Sequence, residues 1–134
     1  MIFYKRGYKY QLYEDFTINI NIYPDELVFD DYIQLNNEGE LTIRKGYAWD
    51  GPSGPTWDTA NFMRASLVHD ALYQLMRLKI ISGGNRKKAD IELKQICIED
   101  GMSKIRAWYV YHAVREFGKY TSRWKDRRKV YTAP

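Results

Sequence analysis

Phe62-Met63-Arg64-Ala65-Ser66-Leu67-Val68-His69-Asp70-Ala71-Leu72-Tyr73-Gln74-Leu75-Met76 is the stretch on which the reading of this chain turns. Phe62, Ala65, His69, Leu72 and Met76 recur at three and four, and Val68 and Leu75 widen the stripe. That is the period of a helix with one apolar face. The spacing predicts a helix from Asp58 to Lys79. His69 lies on the stripe itself, with Ala65 and Tyr73 one turn away on either side, whereas Asp70 is rotated from it by about 100°. An imidazole on a buried face needs a polar partner. The chain supplies one about a helical hairpin later, in Ala89-Asp90.

Downstream, Ser82-Gly83-Gly84-Asn85 breaks the chain. A second helix is expected from Arg86 to about Asp100, with Ala89, Leu93, Ile96 and Cys97 on one face and Gly101 ending it. Ser103 can cap a third helix running through Phe117 and stopped by Gly118. Helices joined by so short a break run antiparallel, so Asp90 can lie across from His69 and Tyr73. A carboxylate beside an imidazole fixes its tautomer and supports the proton the ring accepts. Tyr73 can donate its hydroxyl to the same carboxylate. The same three side chains also suit a purely structural polar network between two helices. His112, near Trp108 and Tyr109 on the third helix, reads as a core or rim residue rather than a catalytic one.

Upstream the period changes to two. Phe16, Ile18, Ile20 and Ile22 alternate with Thr17, Asn19 and Asn21, as in a half-buried strand, and Pro24-Asp25 ends the run. Leu27-Val28-Phe29 is a short apolar run, and Tyr32 to Leu35 is a further strand candidate. Asn36-Asn37-Glu38-Gly39 is a turn, with Leu41 and Ile43 resuming the alternation beyond it, which predicts a hairpin. Tyr8, Tyr10 and Leu12 suggest one more strand. The fold class is therefore α+β, an N-terminal antiparallel sheet of about four or five strands followed by three packed helices. A single domain over 1–134 is expected: strand-rich 1–50, a Gly/Pro loop at 50–56, helical 57–118 and a basic tail at 119–134.

Composition narrows the class. With 45% hydrophobic and 28% charged residues over 134 positions, the chain has the make-up of a globular domain rather than a disordered one. No run approaches 18 apolar residues, so no membrane-spanning helix is expected. Met1-Ile2-Phe3-Tyr4-Lys5-Arg6 lacks the charge order of a secretory signal. Cys97 is alone, which excludes an internal disulfide framework and fits a reducing compartment. His69, His112 and Cys97 make a poor ligand supply for zinc. Residues 1–60 carry 5 Lys/Arg against 10 Asp/Glu, giving −5, and residues 61–134 carry 16 against 7, giving +9. The Lys119–Lys129 run holds six cations opposed by Asp126. Such a run can meet the phosphates of nucleic acid or lipid, and is more often a solvated end.

Asp50-Gly51-Pro52-Ser53-Gly54-Pro55 precedes the first helix. Its glycines and prolines force an irregular backbone whose carbonyls cannot all pair in a ladder. Carbonyl oxygens with a carboxylate are calcium ligands. Asp70 is the natural carboxylate and Asp50 a second. The alternative is a plain turn between sheet and helix.

A glycine loop, His69-Asp70-x-x-Tyr73 and a downstream Ala89-Asp90 resemble the phospholipase A₂ superfamily, particularly its disulfide-free versions in parvoviral capsids. Gly51 precedes His69 by 18 residues and Asp90 follows it by 21, spacings compatible with that layout. Residues 46–118 look still more like a phage and prophage family, domain of unknown function 1353. They carry Gly-Tyr-Ala-Trp-Asp-Gly-Pro-Ser-Gly-Pro, His-Asp-Ala-Leu-Tyr, Arg-Lys-Lys-Ala-Asp and Val-Arg-Glu-Phe-Gly. That family names no activity. The lipase resemblance implies His69 as general base on a water, Asp90 orienting it and Tyr73 holding Asp90. It implies Ca²⁺ bound by Asp70 with backbone oxygens around Trp49, Gly51 and Gly54, polarising an ester carbonyl. Trp49, Trp57 and Phe62 would then form a lipid-facing rim. Three other readings stay open: a non-enzymatic virion structural or adaptor protein, a nucleic-acid-binding or anti-host-defence factor using the basic tail, and a cell-wall hydrolase. The corresponding partners are a phospholipid membrane, other virion proteins, or nucleic acid, and the expected location is host cytoplasm or virion.

Overall fold

The computed structural model describes residues 4–7, 9–49 and 60–121. Among the described residues seven short strands precede three helices, giving an α+β fold with two antiparallel sheets. Strands β1 (Tyr4–Gly7), β2 (Lys9–Leu12) and β7 (Ala48–Trp49) form one sheet in the order β1-β2-β7. The other contains β3 (Phe16–Asn19), β4 (Val28–Phe29), β5 (Ile33–Leu35) and β6 (Glu40–Ile43), ordered β3-β6-β5-β4. Ile33 and Leu35 of β5 stand opposite Ile43 and Leu41 of β6, which seals one face of the sheet with aliphatic pairs.

The expected hairpin between β5 and β6 is present, and its turn demands glycine. Asn36 Oδ1 accepts the N–H groups of Glu38 and Glu40, both at 2.9 Å. Gly39 has φ +82°, and a Cβ there would sit 2.3 Å from the carbonyl oxygen of Ile20. Strand β3 is shorter than its alternating sequence suggests, ending at Asn19. Past that point Ile20 donates its N–H to the Gly39 carbonyl, and Ile20 and Ile22 stay buried without a strand partner of their own.

Helix α1 (Ala60–Arg77) is the centre of the molecule. The sequence shows a stripe, but the structure buries α1 nearly all round. Leu67, Val68, Ala71, Leu72 and Leu75 are fully covered, some against the sheets and some against the next helix. A helix that is enclosed on most sides belongs to the core rather than the surface. Three polar links fasten it to the sheets and the loops between their strands. Trp49 Nε1 donates to Ser66 Oγ at 3.0 Å, Tyr47 OH to Gln74 Oε1 at 3.3 Å, and Gln74 Nε2 to Asp30 Oδ2 at 2.6 Å.

A 3₁₀ turn at Gly83–Asn85 leads into α2 (Arg86–Glu99), which packs against α1. Arg64, early in α1, makes a two-pronged contact with Asp100 at 3.0 and 2.9 Å and reaches Glu99 at 3.0 Å. The start of α1 therefore meets the end of α2, as antiparallel packing requires. Gly101, at φ +100°, turns the chain. Ser103 Oγ then accepts the Arg106 N–H at 3.2 Å and caps α3 (Lys104–Thr121). Helix α3 passes through Gly118 instead of stopping there. A helix-interior glycine costs only about 1 kcal/mol relative to alanine, and no proline stands close behind it to enforce a stop. The residues of the basic tail after 121 lie outside the described residues. Among the described residues no helix is long and apolar enough to cross a membrane.

Candidate active site

Asp90 is the hub of the helical half. It lies one turn into α2, is fully buried, and collects hydrogen-bond donors from α1 and α3. His69 and Tyr73, one turn apart on α1, present to the same side, with ring centroids 4.1 Å apart. His69 Nε2 and the Tyr73 hydroxyl both approach Asp90 Oδ1 at 2.6 Å. Arg115 Nη1, from α3, donates to the other oxygen, Oδ2, at 2.9 Å. Arg86, at the start of α2, places Nη1 3.6 Å from Oδ2 and donates to the Arg115 carbonyl at 3.1 Å.

The electrostatics follow from this geometry. Burial alone would raise the Asp90 pKa, but hydrogen bonds from His69, Tyr73 and Arg115 outweigh it and hold the carboxyl below its ordinary value. Tyr73 moves the other way. Burial, reinforced by the adjacent Asp90 charge, pushes its hydroxyl well above the ordinary phenol value, so it serves as a neutral donor. A carboxylate fixed at Nε2 dictates that Nε2 carries the proton and leaves the lone pair on Nδ1. His69 is buried and keeps 8% of its surface accessible. Among the described residues every buried side-chain nitrogen and oxygen has a hydrogen-bond partner.

The structure thus brings together the three residues expected to act as a unit, His69, Asp90 and Tyr73. The expected calcium ligands are a different matter. Asp50, Gly51 and Gly54 lie outside the described residues. Asp70 is half-buried on α1, next to His69 in sequence and on an adjoining face. Among the described residues no group of three or more His, Cys, Asp or Glu side chains is placed to hold a metal. Asp70 by itself does not make a calcium site.

The expected apolar rim is corrected. Trp49 and Phe62 are each only 4% exposed and belong to the core, Trp49 stacked near Tyr10 and tied to Ser66. Trp57 lies outside the described residues. A Gly/Pro loop suggested an open edge, but the indole in front of it completes the packing between β7 and α1. His112 is exposed, resting on Trp108 at 4.2 Å between centroids, in keeping with a rim position.

Sequence reasoning gave neither arginine a role at Asp90, although both stand in motifs quoted above, Arg-Lys-Lys-Ala-Asp and Val-Arg-Glu-Phe-Gly. Arg86 had a readable signal, since it precedes Asp90 by four residues on one helix face. Arg115 had only its place in the second motif, because its contact with Asp90 depends on how α3 crosses α2.

No curated protein and no solved structure matches the chain. One family model does, described as protein of unknown function (DUF1353), and it covers residues 27–114. That match takes in β4 to β7, the site residues of α1 and α2, and most of α3 up to the residue before Arg115. On a match over about two-thirds of its length, the chain belongs to the DUF1353 family.

Proposed function

We propose that this protein is a hydrolase in which His69 is the general base and an ester, a phospholipid ester by the resemblance of its His-Asp-x-x-Tyr helix, is the substrate. The observation that carries this reading is the pair of 2.6 Å contacts converging on one carboxylate oxygen, from His69 Nε2 and the Tyr73 hydroxyl. In the hydrolytic step Nδ1 of His69 takes a proton from water while the water oxygen attacks the ester carbonyl carbon. The tetrahedral intermediate then collapses, expelling the alcohol oxygen, which recovers the proton from the imidazolium. Asp90 stabilises the imidazolium between these events, and Arg115, by occupying Oδ2, leaves Oδ1 to His69 and Tyr73. A positioned base of this kind contributes about 10²–10⁴-fold. In this reading Asp70 and the 50–54 loop supply calcium ligands, and the protein is of phage or prophage origin.

A second reading, a non-enzymatic structural or adaptor protein of a virion, draws on a different observation. Asp90 is fully buried and held by a guanidinium as well as by His69, which also describes a structural polar core.

Hydrolysis of phospholipid vesicles and short-chain esters, measured with calcium and with a chelator beside His69→Ala, separates the two. The hydrolase reading expects calcium-dependent release of product and a loss of about 10²–10⁴-fold on substitution. Turnover that is indifferent to His69→Ala, or no turnover of any ester by the folded protein, removes it in favour of the structural reading.

A further inference from the structure

Two guanidiniums converge on one buried carboxylate. Arg115 donates Nη1 to Asp90 Oδ2 at 2.9 Å, and Arg86 brings its Nη1 to 3.6 Å from the same oxygen. The two side chains are also tied together, since Arg86 Nη1 donates to the Arg115 carbonyl at 3.1 Å. His69 and Tyr73 occupy Oδ1, so the arginines meet Asp90 on the oxygen that the imidazole does not use. Asp90 balances only one of the two positive charges. Among the described residues it is the only carboxylate paired with either guanidinium. Glu92, the next acid along α2, accepts the Asn21 N–H instead, and the first turn of α2 holds no acid. Glu116, next to Arg115 in sequence, is exposed and pairs with neither arginine.

A guanidinium presents several N–H donors in a planar fork. Asp90 and the Arg115 carbonyl accept from one nitrogen of each, and the Arg86 charge also bears on the Tyr73 hydroxyl. The edges that remain reach solvent, because the side chains are 19% and 29% exposed and no buried side-chain nitrogen is left unpaired among the described residues. A positive charge held mostly out of water without its counter-charge is unfavourable, and an anion at those edges restores the balance. We propose that Arg86 and Arg115 form a binding site for a phosphate group. A carboxylate offers two oxygens in one plane and matches one fork, whereas the tetrahedral oxygens of a phosphate can accept from two converging guanidiniums at once. Lys87 and Lys88, exposed on the first turn of α2, add attraction at longer range. The phosphate is that of a lipid headgroup or is free in solution, and the contact is the same for both. Hydrolysis at His69 is not required for it.

Titration of the full chain with inorganic phosphate at constant ionic strength, followed by calorimetry and by the arginine Nε–H signals in NMR, tests this. Saturable binding is expected, with the signals of Arg86 and Arg115 moving together. Arg86→Gln is expected to weaken binding about tenfold or more, the scale of a hydrogen bond to a charged group. Lys104→Gln, at the other end of α3 from Arg115, is expected to leave it unchanged. Circular dichroism verifies folding, and if Arg86→Gln unfolds, Arg86→Lys, which keeps the charge and loses the fork, replaces it. Sedimentation with phosphatidylglycerol vesicles distinguishes the sources. Retention that Arg86→Gln abolishes assigns a lipid headgroup, and phosphate binding without retention assigns a free phosphate. The proposal is overturned if neither probe binds, if binding is indifferent to the change at Arg86, or if phosphate binds while the signals of both arginines stay still. It is also overturned if Lys87→Gln with Lys88→Gln weakens binding as much as Arg86→Gln, the mark of a diffuse basic surface. No turnover is measured, so a chain that hydrolyses nothing can pass this test and an active hydrolase can fail it.

Discussion

Replacing Asp90 with Asn keeps the shape of the hub and removes its charge. The carboxylate accepts from His69, Tyr73 and Arg115 at once. An amide has one acceptor oxygen and one donor nitrogen, so with its oxygen on Arg115 its nitrogen faces His69 and Tyr73, which must turn from donors into acceptors, His69 by moving its proton to Nδ1. Breaking a buried ion pair from one side costs about 3–5 kcal/mol. The arginine side chains are 19% and 29% exposed and can hydrate once released, which places the cost near the lower end, about 3 kcal/mol. At this chain length that corresponds to a fall of roughly 10 °C in Tm. Urea titrations of wild type and Asp90→Asn between pH 2 and pH 7 measure it. Because the folded carboxyl is held below its ordinary value of 3.8, the stability it contributes is fully present above that value. It is lost as pH falls through the folded value, so the gap between the two proteins should be constant at pH 5–7 and close only in strong acid. A gap of the same size at pH 2, or no gap at pH 7, would refute the assignment of the stabilisation to charge.

Tyr73→Phe removes one of two donors on Asp90 Oδ1 and leaves the carboxylate partnered. A loss of about 2 kcal/mol in urea unfolding is expected, smaller than that of Asp90→Asn. Gly39→Ala places a methyl against the Ile20 carbonyl at a positive φ, and should cost at least about 1 kcal/mol by the same measurement. Burial pushes the Cys97 thiol up to about 12, so a disulfide reagent at pH 8 should label it only as fast as the protein opens. Rapid labelling of the native protein would contradict that burial.

The fold was legible where side-chain period and burial coincide. The β5–β6 hairpin could be read because Leu35, Leu41 and Ile43 alternate about a turn that only glycine can complete. His69, Tyr73 and Asp90 could be grouped because three- and four-residue spacing on two antiparallel helices is a local rule. The lengths of β3 and α3 were less legible. Ile20 and Ile22 keep the alternating pattern after the ladder has stopped, since burial outlasts strand pairing there, and Gly118 is tolerated inside a helix. Trp49 and Phe62 looked like a rim because aromatic residues beside a Gly/Pro loop suit either surface or core. Trp49 is held in the core by Ser66 and Tyr10, neither of them a neighbour in sequence. Arg115 depends on tertiary packing of α3, for which one sequence contains no local signal.

Helix α1 is clamped from opposite sides, by Trp49, Tyr47 and Asp30 towards the sheets and by Asp90 and Asp100 towards α2. None of its inner amides can reach solvent through a small local fluctuation, because each clamp would have to release first. Deuterium should therefore enter the middle of α1 only when the whole molecule opens. The segment bearing His69 is then the slowest-exchanging part of the protein, and any opening that admits a substrate has to come from the elements around α1 while that helix stays still.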